Sequence, residues 1–177
     1  WAQPADGAAW MVGGSYLVGD RGYLGASATR YDANYGTPGP ESQPDGSSVR
    51  IDMEQRRYDV SGGLGNPFTG ISAVRVRTGH SDYTHTEFEP DGAAGTTFSQ
   101  DANEFRLAFD HAPIANWRGT FGAQYIDVDF RAEGEEAFIP PSKTDNLGLF
   151  LFEELPIGDV HLQVGVRYED QSIDPEP

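Results

Sequence analysis

Apolar and polar residues alternate with period two along stretches too long for ordinary strands. Val160, Leu162, Val164, Val166 and Tyr168 fall on one side of an extended chain, and His161, Gln163, Gly165, Arg167 and Glu169 on the other. Phe105, Leu107 and Phe109 alternate likewise with Glu104, Arg106, Ala108 and Asp110. Trp117, Phe121, Ala123 and Tyr125 alternate with Arg118, Thr120, Gly122 and Gln124, and Val49, Ile51 and Met53 with Arg50, Asp52 and Glu54. Successive strand side chains point to opposite faces, so each stretch is a ribbon with one greasy and one wet side. Helical spacing is hard to find, because 22 Gly and 12 Pro interrupt the chain too often. Eight ribbons are expected, at roughly 8–18, 22–32, 49–62, 71–87, 96–110, 117–131, 144–154 and 160–170.

Ribbon length separates the possible folds. A soluble strand usually runs about five or six residues, whereas about ten tilted residues cross a bilayer. The connections 19–21, 63–70, 111–116 and 155–159 are compact. Those at 33–48, 88–95 and 132–143 are on average longer, more acidic and richer in Gly and Pro. Outer-membrane barrels alternate in this way, with short periplasmic turns and longer outer loops. The expected fold is therefore all-β: an antiparallel up-and-down meander of about eight long strands, forming a segment of a transmembrane β-barrel. A closed eight-stranded barrel and a soluble β-sandwich binding module are the alternatives. Four compact turns against three long loops, with polar, turn-rich sequence at 1–7 and 172–177, favour the segment.

Composition narrows the functions. The chain has 177 residues, enough for one domain with a sizeable core. Lys and Arg total 12 against 28 Asp and Glu, a net charge of −16. That field repels nucleic-acid phosphates, so no nucleic-acid partner is expected. No cysteine is present, which removes thiolate metal sites and cysteine nucleophiles. Ten Phe, eight Tyr and three Trp argue against disorder. The longest uncharged stretch, 60–74, is broken by Gly, Asn and Pro, so no spanning helix is expected. No secretory leader is visible at the first residues.

The runs GYLGASATRYDANYGTPG (22–39), RIDMEQRRYDV (50–60), RVRTGHSDYTHTE (75–87) and GEEAFIPPS (134–142) together resemble TonB-dependent outer-membrane receptors. The nearest branch is the one associated with zinc, and sometimes haem, uptake, and the likeness covers about 22–170. It implies a barrel of about 22 strands around an N-terminal plug, coupled to the inner-membrane TonB complex. On that likeness, residues 1–177 are a partial barrel domain, with the plug, the TonB box and the remaining strands absent. The expected location is the bacterial outer membrane, with the lipid bilayer, a small nutrient or metal ligand, and the TonB complex (through the missing plug) as partners. Zinc or haem would be transported cargo rather than a cofactor.

Two candidate metal sites follow. His80 and Asp82 stand two apart on one strand face, with His85 opposite, and His with carboxylate suits Zn²⁺. A simply wetted strand end would look the same. Glu135 and Glu136 precede Ala137, Phe138, Ile139, Pro140 and Pro141, and a rigid Pro-Pro beside paired carboxylates could hold a cation, though an ordinary acidic loop also fits. Arg50, Asp52, Glu54, Arg56, Arg75 and Arg77 are expected as lumen-facing wall residues, and His161 also faces the lumen. His111 is expected in a turn. Trp10, Tyr23, Tyr31, Tyr83, Trp117 and Tyr125 are expected near strand ends, where aromatic girdles sit. No enzyme is expected: Glu153 and Glu154 point to opposite faces and cannot converge on one bond, and no nucleophile elbow, phosphate loop or zincin motif appears.

Overall fold

Alternation of this length leaves the backbone one way to satisfy its polar groups, which is pairing with neighbouring strands. The computed structural model describes residues 5–37, 49–134 and 137–175. They form eight strands: β1 Ala5–Val18, β2 Gly22–Gly36, β3 Arg50–Phe68, β4 Ile71–Phe88, β5 Ala94–His111, β6 Arg118–Glu133, β7 Ser142–Ile157 and β8 Val160–Pro175. Each pairs antiparallel with its sequence neighbours in a single sheet of order β1-β2-β3-β4-β5-β6-β7-β8. The eight-stranded meander expected from the sequence is the observed fold. The sheet is open, for β1 pairs with β2 and β8 with β7, and the two outer strands do not pair with each other. That arrangement is a barrel segment, not the closed eight-stranded alternative. No described helix is long and apolar enough to cross a membrane.

The strands exceed their expected lengths, β3, β7 and β8 most of all. The stretch 63–70, read as a turn, is mostly strand: a bulge between Gly65 and Phe68 lets it continue, with Asn66 at φ 49°, and Thr69 and Gly70 alone make the turn. Hairpin ends need positive φ to match strand twist. Gly19, Gly70 and Gly158 supply it at three ends, and Ala115 with Asn116 at the fourth. At the other end, the connection 89–93 closes as a tight turn through Glu89 N–H to Ala93 O and Gly92 N–H to Glu89 O. It is no longer than 112–117, so the alternation of short and long connections fails at that one place.

The described residues enclose no packed interior. The buried apolar side chains among the described residues are Ala33, Ala108 and Ala132. Leu149 is 48% exposed and Val166 63%, and Phe105, Phe121, Leu147, Leu151, Val164, Val60 and Leu64 are exposed with them. A sandwich would seal these residues between two sheets. Instead they share one face, as the register shows: Val74, Phe109, Phe121, Leu151 and Val166 align across β4 to β8, and Val76, Leu107, Ala123, Leu149 and Tyr168 align beside them. The opposite face is concave. Its recesses are lined by Arg57, Asp59, Arg75, Arg77, Glu104 and Arg106.

Towards the ends bearing the longer loops, the apolar face changes character. Beyond Tyr58, Thr78, Phe105, Tyr125 and Leu147, the same face carries Arg56, His80, Asn103, Asp127 and Asp145. This corrects one expectation. Asp52, Glu54 and Arg56 share a face with Tyr58 and Val60, so they lie on the convex side above the apolar band and do not line the concave wall; Arg50 shares their parity. The alternation in 49–54 was right, but its greasy side, Ile51 and Met53, turns inward. Tyr23, Tyr31 and Tyr83 likewise lie on the concave face and are not part of an outer girdle, whereas Trp10 and Tyr125 are on the convex one, and Trp117 stands just before β6, bridged to Ile114.

Candidate functional site

On the convex face, just past the apolar band, two register rows bring polar groups together. One row runs Tyr58, His80, Asn103, Asp127 and the next Arg56, Asp82, Asp101, Asp129. His80 Nε2 lies 3.3 Å from Asp82 Oδ2 and 3.7 Å from Asp101 Oδ2. Its Nδ1 sits 2.8 Å from Asn103 Oδ1, Asn103 Nδ2 donates to Asp127 Oδ2 at 3.1 Å, and the Tyr58 ring stacks on the imidazole. His80, Asp82 and Asp101 each offer one donor atom, all within 4.8 Å of one another. A nitrogen with two carboxylate oxygens is a donor set that suits a divalent cation. The i, i+2 spacing on β4 brings His80 and Asp82 onto one face, and the β4–β5 register adds Asp101 diagonally. Asp101 was not legible beforehand, because only the pairing register between two ribbons places it. His85 is on the opposite face, as expected, stacked on Phe98 with ring centroids 4.6 Å apart and edge-on to Tyr83. Glu135 and Glu136 lie outside the described residues.

The concave wall carries a different chemistry. Arg57 holds Asp59 in a forked pair at 2.8–3.0 Å and reaches Glu104 at 3.9 Å. Gln124 donates to Glu104 at 2.6 Å and accepts from Arg106 at 3.2 Å, while the Arg106 guanidinium lies 4.1 Å above the Phe150 ring. Closer to the short turns, Arg75 clasps Asp110 with contacts of 2.5 and 2.6 Å, and Thr120 donates to the same carboxylate. Gly79 makes room for this lattice: a Cβ there would meet Arg57 Nη2 at 2.8 Å and Asp59 Oδ1 at 2.9 Å. Arg75 and Arg77 are thus the wall residues expected from the sequence. The cross-strand partner of Arg75, Asp110, comes from register.

The remaining histidines also find partners. His161 is on the concave face, 3.7 Å from Glu154. His111, expected in a turn, instead ends β5, where Nε2 meets Glu153 at 3.0 Å and Nδ1 meets the Ala112 carbonyl at 2.7 Å. Its side chain is the most enclosed of the ion-paired histidines, which suits an anchor at the short-turn rim. No signal in the sequence pairs it with Glu153, which stands on another hairpin. Against known families, a model described as TonB dependent receptor-like, beta-barrel, matches residues 5–176.

Proposed function

Because the chain belongs to the TonB-dependent receptor β-barrel family, whose members are outer-membrane receptors and transporters and not enzymes, we propose that it is part of the wall of a receptor importing a scarce metal nutrient, as zinc or as a chelate such as haem. The observation that carries this reading is the long-stranded open sheet with a convex apolar band and no sealed core. Lipid supplies the missing apolar partner, and the concave polar face lines the passage. The free ladders of β1 and β8 support a place within a larger barrel, since an unpaired strand edge does not persist in hydrocarbon. The plug, the TonB box and the further strands would come from sequence outside these 177 residues, and coupling to the TonB complex would pass through that plug.

His80, Asp82 and Asp101 are proposed as a cation site on the outer rim. Their place on the convex side suits capture or retention of a divalent ion at the surface better than passage through the lumen. Glu135 and Glu136, in the third long loop, are proposed as a second group of ligands at the mouth. The net charge of −16 raises local cation concentration around both. The test is metal uptake by cells carrying the full-length receptor under metal limitation, with and without a functional TonB complex. Uptake of zinc or haem that needs both receptor and TonB is expected; growth and uptake indifferent to either contradict the proposal. Asp101→Asn and His80→Ala should each weaken Zn²⁺ binding by the purified receptor about tenfold or more, and wild-type affinity in both removes the rim site. Wild-type uptake in Glu135→Ala and Glu136→Ala removes the mouth site.

A further inference from the structure

The histidine of the outer rim is held by more than the two carboxylates beside it. His80, Asn103 and Asp127 stand directly opposite one another across β4, β5 and β6, in one register row. The hydrogen bonds along that row run in one sense. An ionised carboxylate only accepts, so Asp127 Oδ2 takes the Nδ2–H of Asn103 at 3.1 Å and turns the amide oxygen toward His80. That oxygen also accepts, and it lies 2.8 Å from Nδ1, so Nδ1 carries a ring proton. Nε2, across the ring, faces Asp82 Oδ2 at 3.3 Å and Asp101 Oδ2 at 3.7 Å. With the proton of a neutral ring on Nδ1, three electron-pair donors converge within 4.8 Å of one another, and a positive species between them relieves their repulsion. Tyr58, directly across from His80 on β3, stacks on the imidazole with 16° between the ring planes and so limits its tilt.

We propose that Asn103 and Asp127 are positioning residues of this rim site, holding His80 with its proton on Nδ1 so that Nε2 presents an electron pair to a divalent cation shared with Asp82 and Asp101. The proposal rests on the rim-site reading above and adds what selects the ion. Without the amide oxygen, a neutral ring would carry its proton on Nε2, where Asp82 and Asp101 both accept it, and the ligand position would be blocked. Asn103 therefore decides between a hydrogen bond inside the protein and a nitrogen ligand. A metal-bound histidine commonly donates its other N–H to an oxygen that fixes the tautomer and raises the basicity of the ligating nitrogen. The Asp127 charge polarises the amide and strengthens that donation. A presented imidazole nitrogen favours a cation of the Zn²⁺ kind over Ca²⁺ or Mg²⁺, which take oxygen ligands.

The test is Zn²⁺ titration of the full-length receptor in detergent, for the wild type, Asn103→Leu, His80→Ala and the two combined. Asn103→Leu removes the acceptor and is expected to weaken Zn²⁺ about tenfold or more. In the His80→Ala background it should add no further loss, because it acts through the imidazole. Wild-type affinity in Asn103→Leu overturns the positioning role. So does an equal loss in both backgrounds, the mark of a residue that only supports the strands. Wild-type affinity in Asp127→Leu removes Asp127 from the relay. Labelling the histidines with ¹⁵N reads the tautomer without metal: the neutral His80 ring should carry its proton on Nδ1 in the wild type and on Nε2 in Asn103→Leu. Should that variant not fold, a proton found on Nε2 in the wild type overturns the proposal by itself. Zn²⁺ binding unchanged by Asn103→Leu leaves the rim site and removes this role, whereas a wild type that binds no Zn²⁺ removes both; TonB-dependent uptake tests the receptor separately.

Discussion

At the scale of single residues, the two faces of the sheet answer to different solvents, and substitutions should show it. Leu149 lies in the middle of the convex band on β7, between Leu147 and Leu151. In a bilayer, Leu149→Arg should cost about 2–4 kcal/mol, whereas an exposed residue in water would change stability by about 0.5 kcal/mol or less; denaturant unfolding from lipid vesicles distinguishes the two. Glycine makes a second contrast. A Cβ at Gly122 would run into the backbone carbonyl of Leu107 and the edge of the Phe150 ring, whereas one at Gly79 meets only the flexible ends of Arg57 and Asp59. Gly122→Ala should therefore cost about 1–3 kcal/mol by forcing β5 and β6 apart, and Gly79→Ala clearly less. Equal effects in the same unfolding experiment would contradict this account of the wall.

At the scale of elements, the number and order of the strands were legible because most ribbons alternate over much of their length and are bounded by Gly, Pro or Asn. What could not be read was where each alternating face changes solvent. In 49–54 the period is unbroken, yet the side carrying Arg50, Asp52 and Glu54 continues into Tyr58, Val60 and Leu64. The membrane boundary crosses β3 between them, and period-two patterning carries no information about height. The same limit concealed Asp101 and Glu153, since partners across strands are set by register, and register emerges only when turns and bulges are fixed. The bulge at Gly65/Phe68 shows how far a turn can be misread when glycines continue a strand. Turn chemistry is itself testable. Ala115 holds φ 49°, a conformation that costs an L-residue about 1–2 kcal/mol. Ala115→Gly should stabilise the β5–β6 hairpin by up to about 1 kcal/mol, visible as a higher unfolding midpoint, and a lower midpoint would count against the turn geometry.

For the whole molecule, the central claim is an arrangement of solvents: hydrocarbon against the convex band, water along the concave arginine wall, and a charged rim above the band carrying His80, Asp82 and Asp101. The fold makes this arrangement economical, because a sheet without a sealed core is stable only where lipid takes the place of a second layer. The absence of cysteine in the chain permits a direct measurement. Single cysteines introduced in turn from Lys143 to Leu151, spin-labelled in the receptor in outer-membrane vesicles, report collisions with oxygen in lipid and with a water-soluble nickel complex. The account predicts oxygen-dominated labels at Leu147, Leu149 and Leu151, nickel-dominated labels at Gly148 and Phe150, and loss of the oxygen signal at Asp145 and Lys143. Nickel access at Leu147, Leu149 and Leu151 equal to that at Gly148 and Phe150 would contradict it.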